Sequence, residues 1–155
     1  MKAGSEVNFT RVLDAPRTLV FRMWTDPKHF AEWWGPHKFT NPTCELDVRP
    51  GGAIRVEMRG PDGKSRWMPG EFREVDAPRR LVFTTISGDP ASPSIELLNT
   101  ITFEEDGKTR TRLSLTVRVL RVAPEMEPYI EGMNAGFTQS LEKLAAHLVA
   151  AGDAR

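Results

Sequence analysis

"PYIEGMNAGFTQSLEKLAAHLVA", Pro128 to Ala150, is the stretch on which the fold turns. Ile130, Met133, Phe137, Leu141, Leu144 and Leu148 step by 3, 4, 4, 3 and 4 residues, so they line one stripe of an amphipathic helix. The spacing predicts one long helix over about 128–150. Gly132 and Gly136 weaken it by about 1 kcal/mol each relative to alanine. A helix with a single apolar stripe must bury that stripe against another layer.

The residues upstream supply the layer. In "TRLSLTVRV" (Thr111–Val119), Leu113, Leu115, Val117 and Val119 alternate with Arg112, Ser114, Thr116 and Arg118. "IELLNTITF" places Leu97, Asn99, Ile101 and Phe103 on one side, and "RRLVFTTI" does the same with Leu81, Phe83 and Thr85. Such alternation marks an antiparallel sheet with one wet face. In "SRWMPGEFREV", Met68, Gly70 and Phe72 form an inward row, and Pro69-Gly70 predicts a bulge or an edge there. Farther upstream, Cys44, Leu46 and Val48 alternate with Glu45, Asp47 and Arg49, and Ile54, Val56 and Met58 with Arg55, Glu57 and Arg59. A three-residue loop at 50–52 would pair 48 with 54, keep the apolar residues on one face and set Asp47 opposite Arg55.

The N-terminal third opens with a strand, "VNFTRVL" (Val7–Leu13). Pro16 suits the first turn of a helix carrying Leu19, Val20, Met23 and Trp24. Asp26 caps a second short helix with Pro27 at its first position, and Gly35-Pro36 ends it. Phe30, Trp33 and Trp34 share one face of that helix by spacing, but the two tryptophans stand about 100° apart. Trp34 is expected to point inward and Trp33 to pack or lie partly exposed. The order is therefore a strand, two short helices, about six further strands and a long helix.

Composition narrows the function classes. The 155 residues suffice for one domain over 1–155 with its core at about 7–150. Twenty-one basic and 21 acidic side chains cancel, which argues against a nucleic-acid partner. Cys44 is the one cysteine, and it falls on an apolar strand face as an inert core thiol. No run approaches the length of a membrane span or a signal peptide, so a cytoplasmic location is expected.

Four segments then carry a family resemblance: "VLDAPRTLVFRMWTDPKHFAEWWGP", "CELDVRPGGAIRVEM", "GEFREVDAPRRLVFT" and "GMNAGFTQSLEKLAAHL". In order and spacing the chain resembles the family named for the activator of the heat-shock-protein-90 ATPase, within the START-like (SRPBCC) superfamily. The resemblance implies an α+β helix-grip fold: a curved antiparallel sheet of six to seven strands around a long C-terminal helix, with two short helices after strand 1. It also implies a hydrophobic cavity between sheet and helix, and relatives that bind lipids, polyketides or other small hydrophobic molecules.

Inward parity and side-chain size select the residues that would line such a cavity. Phe30, Trp34 and Phe39 would roof one end. Met58, Met68, Phe72, Phe83 and Ile101 would line the sheet, and Met133 and Phe137 the helix. Asn99 is a polar residue in an apolar row, and a buried amide needs partners. It is either satisfied by backbone or a bound water, or a polar anchor for a ligand. His37 stands at the presumed cavity mouth as a rim residue. His29 and His147 are expected on exposed surfaces.

No catalytic signature appears: there is no Walker loop, no dinucleotide glycine pattern, no H-E-x-x-H and no paired cysteine motif. No catalytic residue, cofactor or metal is assigned. The leading reading is a non-catalytic module for a lipid-, polyketide- or flavonoid-like ligand. The alternatives are a protein-interaction role with a chaperone partner, stimulating a heat-shock-protein ATPase, and a polyketide cyclase or hydrolase-like enzyme in which Asn99 or His37 polarises a carbonyl. A homodimer through an open strand edge is a further possibility.

Overall fold

The structure is a computed structural model that describes residues 2–89 and 91–153. Strand β1 (Glu6–Leu13) leads into helices α1 (Arg17–Thr25) and α2 (Pro27–Trp33). Six strands follow: β2 (Thr40–Leu46), β3 (Ala53–Arg59), β4 (Ser65–Asp76), β5 (Arg80–Asp89), β6 (Ser92–Asp106) and β7 (Arg110–Val122). A 3-10 turn at Pro124–Met126 leads into α3 (Glu127–Glu131) and α4 (Met133–Asp153).

The strands form one seven-stranded sheet in the order β1-β7-β6-β5-β4-β3-β2. Every neighbouring pair is antiparallel. Consecutive strands from β2 to β7 pair by short connections, and β1 closes onto β7, so α1 and α2 form the crossover. The sheet is curved and open, and the architecture is the α+β helix-grip fold. Its concave face buries the rows that the alternation picks out, including Phe83, Ile101, Phe103, Leu113 and Val117. Leu141, Leu144 and Leu148 of α4 join the same core.

Three expectations are corrected. The C-terminal helix is two helices: α3 ends with Gly132 as its cap (φ −82°, ψ −4°), and α4 starts at Met133. Glycine carries the largest backbone entropy cost in a helix, so the break falls there.

The β2–β3 hairpin is shifted by two residues from the expected register. Leu46 faces Ile54, Cys44 faces Val56 and Glu45 faces Arg55. The loop is thus longer, and Gly51 donates to the Phe72 carbonyl while Phe72 N–H donates to that of Gly52. Asp47 pairs with Arg49 at 2.8 Å instead of facing Arg55. Docking onto β4 decides the register, because a shift of two keeps every side chain on its face.

The bulge in β4 lies between Phe72 and Glu74 in the ladder with β5, not at Pro69-Gly70. Gly70 serves close approach instead: a Cβ there would collide with the Thr84 carbonyl of β5. The extra residue, Arg73, resets parity, so Val75 turns inward with Phe72.

Candidate functional site

The site is built where α2, the following loop and α4 close over the concave face. Asp26 caps α2, its carboxylate accepting from Lys28 N–H at 3.0 Å, and Pro27 takes the first helical position. The helix ends at Trp33, and Trp34 is its extended cap (φ −66°, ψ 138°). That single change of backbone resolves the two tryptophans. Both are buried although a continuous helix would splay them.

Trp33 packs edge-on against Trp24 at 4.6 Å, and its Nε1–H donates to the Met23 carbonyl at 3.0 Å. Trp34 turns toward the sheet. It stacks on Phe30 at 4.8 Å and lies 6.1 Å from both Phe83 and Phe137. Phe72 continues the chain of rings with an edge-to-face contact to Phe83 at 6.0 Å. Such contacts are worth about 0.5–1.5 kcal/mol each beyond their buried area.

Asn99 stands opposite Phe83, one of these rings, in the β5–β6 ladder and is fully buried. Its Nδ2 donates to the Phe83 carbonyl at 3.2 Å and to Thr85 Oγ1 at 3.3 Å. Its Oδ1 has no hydrogen-bond partner, and neither do the indole Nε1–H groups of Trp24 and Trp34. A buried polar atom without a partner costs about 1–3 kcal/mol. The described residues thus hold two unmatched buried donors, the Trp24 and Trp34 indoles, and two unmatched buried acceptors, Oδ1 of Asn99 and Oδ1 of Asn41 at the end of α2.

The remaining candidates fall into two further groups. Phe39 and Met58 are half-buried at the end of the shell, on either side of Gly35. Gly35 has φ +96°, and a Cβ there would lie 3.1 Å from Met58 Cε and 3.5 Å from Phe39 Cβ. Ile101 and Met68 are core residues of the sheet, and Met133 and Phe137 pack half-buried at the start of α4. Phe137 also meets Phe9 of β1 at 5.8 Å, a lining residue that strand alternation alone did not single out.

His37 stands outside this shell. It is exposed, with Nε2 3.5 Å from Glu142 of α4, and its N–H donates to Gln139 Oε1 at 3.0 Å. The aromatic rings and the Asn99 amide of this shell are not titratable groups.

A set of α4 side chains, none of them readable from the sequence, holds the loop down. Gly35 N–H donates to Ser140 Oγ at 3.1 Å. Lys143 Nζ donates to the carbonyls of Gly35 and Pro36, both at 3.2 Å, and burial pulls its pKa down. Asn41 Nδ2 donates to the Ala31 and Trp34 carbonyls at 2.9 and 2.8 Å, closing the end of α2 from the other side. Cys44 is half-buried, and burial, with Glu45 adding to it, pushes its thiol up to about 11. Among the described residues, no group of three or more His, Cys, Asp or Glu side chains is placed to hold a metal ion. No helix among them is long and apolar enough to cross a membrane. A surface pocket of about 300 Å³ lies elsewhere, between Asp14, Pro16 and Leu19, the β6–β7 turn at Lys108 and Thr109, and Leu148.

Comparison with known proteins agrees with this architecture. The family described as "Activator of Hsp90 ATPase homolog 1-like protein" matches residues 14–149. A solved structure of a protein from Chromobacterium violaceum superposes with a TM-score of 0.78 at 28% identity, covering 91% of this chain and 95% of that one. An AHSA1 protein from Silicibacter pomeroyi superposes with a TM-score of 0.77 at 27% identity, covering 94% and 99%. A protein from Nitrosomonas europaea shares the fold with a TM-score of 0.82 at 24% identity, covering 99% of both chains. No curated protein matches the chain.

Proposed function

The chain belongs to the Activator of Hsp90 ATPase homolog 1-like family, and from that premise we propose that it binds a small hydrophobic ligand between the concave sheet face and α4. The observation that carries this reading is Asn99, fully buried with Oδ1 unpartnered, in a core where the indole N–H groups of Trp24 and Trp34 are unpartnered as well. Aromatic and apolar side chains with a few polar groups among them are the usual lining of a small-molecule site, and here the rings must part to admit one. The chemistry also selects within the hydrophobic class. A ligand hydroxyl would donate to Asn99 Oδ1, and a hydroxyl or carbonyl oxygen would accept from an indole N–H. That favours a hydroxylated ring compound of polyketide or flavonoid type over a plain acyl chain.

Access fits the same end of the molecule. Met133 and Phe137 are only half-buried, whereas Leu141, Leu144 and Leu148 farther along α4 are fully buried. The polar contacts from Gln139, Ser140 and Lys143 anchor the middle of α4. The turns from Gly132 to Gly136 are the part that can lift, with Phe137 swinging off Trp34 and Phe9.

A chaperone-binding reading expects a wide exposed apolar patch. The large exposed apolar side chains, Val12, Trp67, Leu120, Tyr129 and Val149, lie on five different elements and support it less.

The test is a titration of tryptophan fluorescence with a hydroxylated flavonoid, a polyketide and a fatty acid, paired with native mass spectrometry. Saturable quenching by the hydroxylated ring compounds at one ligand per chain is expected. No saturable response from any of the three classes would overturn the reading.

A further inference from the structure

We infer that His29 and His147 form a two-histidine clip that takes a divalent transition ion, Zn²⁺, Ni²⁺ or Cu²⁺, and fastens α2 to α4. Their separation in sequence is 118 residues, yet His29 Nδ1 lies 3.0 Å from His147 Nε2. The rings are 5.2 Å apart between centroids and tilted by 57°. Both were expected on exposed surfaces, and both are half-buried where α2 packs on α4.

Without a metal, the contact is an N–H···N hydrogen bond in which one neutral ring donates and the other accepts. When an ion binds, the donating ring shifts its proton to its other nitrogen, so that both facing nitrogens present lone pairs and neither ring changes charge. Histidine nitrogens lie about 2.0–2.1 Å from zinc, so two at a tetrahedral centre are about 3.3 Å apart. The nitrogens need to part by a few tenths of an ångström, and each ring must turn by about 35° to aim its lone pair at the ion. Imidazole suits Zn²⁺, Ni²⁺ and Cu²⁺ and not the hard ions Mg²⁺ and Ca²⁺, which want oxygen.

The surroundings favour the ligating, neutral form. Burial is the main force holding His147 below its ordinary range, with the charge of His29 second, while Glu32 acts in the opposite direction. Glu32 lies three residues from His29 on α2, one turn along, and its charge offsets that of a bound ion. Lys143, one turn back on α4, sends its ammonium to the Gly35 and Pro36 carbonyls and not to this pair. With two protein ligands the remaining positions belong to water. This is an open clip, not a closed structural cage.

The experiment is thermal unfolding of the full, tag-free chain at about pH 7.5 with NiCl₂ or ZnCl₂, where free imidazole is neutral. The Tm is expected to rise by about 5 °C or more once metal is about 100-fold above its Kd. Native mass spectrometry should count one ion per chain. His29→Gln and His147→Gln, each measured against its own metal-free Tm, should show no rise, and His37→Gln should keep it. At about pH 5 the rise should vanish, since protonated imidazole does not ligate. An absent rise at millimolar metal, or an equal rise in either glutamine variant, would overturn the assignment.

Discussion

Asn99 and Phe83 stand directly opposite one another in β6 and β5, and the Asn99 amide donates across the ladder to the Phe83 carbonyl at 3.2 Å. The bond holds the amide plane with its oxygen turned away from Phe83 and unpartnered. Asn99→Leu should therefore fold with a stability within about 1 kcal/mol of the parent or above it, because the orphaned oxygen goes with the side chain. The same variant should bind a hydroxylated ring ligand at least about tenfold more weakly, a loss of one hydrogen bond's worth of affinity. Urea unfolding and fluorescence titration read the two arms separately. Unchanged affinity would remove Asn99 from the site.

Gly35→Ala should destabilise by about 1–3 kcal/mol, since φ +96° is strained for any side chain-bearing residue. The added Cβ also crowds Met58 Cε, 3.1 Å away. The expected sign is a lower urea midpoint at constant m-value. An unshifted midpoint would show that the loop from 35 to 39 relaxes freely.

Acid should loosen the α2–α4 contact. His147 holds its proton less tightly in the folded chain than in the unfolded one, whose ordinary value is 6.5. As the pH falls through 6.5, the unfolded chain gains a proton that the folded chain does not, so stability falls. The loss levels off once His147 protonates in the folded chain as well. Unfolding free energies measured between about pH 7.5 and about pH 5 should thus drop further for the parent than for His147→Gln. Parallel pH profiles for the two proteins would contradict this.

The four tryptophans divide into three buried and one accessible: Trp67 is 44% exposed, under the Arg55 guanidinium at 4.1 Å. Acrylamide should quench the parent partially and Trp67→Phe hardly at all. Ligand-dependent quenching should survive in Trp67→Phe, because it arises at Trp24 and Trp34. A ligand response that disappears with Trp67 would place binding on the outer sheet face instead.

Much of the sheet is legible in the residues themselves. Leu113 to Val119 and Leu97 to Phe103 have a period of two and keep it, and each of these rows lies on the concave face. The same periodicity cannot choose between registers two residues apart; for the β2–β3 loop that choice is made by docking on Phe72. Periodicity also cannot see a cap. Trp34 turns inward where the chain leaves the helix, although its spacing from Phe30 is helical.

By itself, the sequence determined the family, the α+β class, the inward rows and the buried amide in the Leu97–Phe103 row. Those are local facts, written in alternation, capping residues and glycine positions. Only the tertiary structure decided what those residues meet: the unpartnered oxygen of Asn99, the hold of Lys143 on the Gly35 and Pro36 carbonyls, and the meeting of His29 with His147. Each joins groups far apart along the chain. No local pattern encodes such pairs, because their distances are fixed by how α4 settles on the sheet and on α2, not by the residues between them.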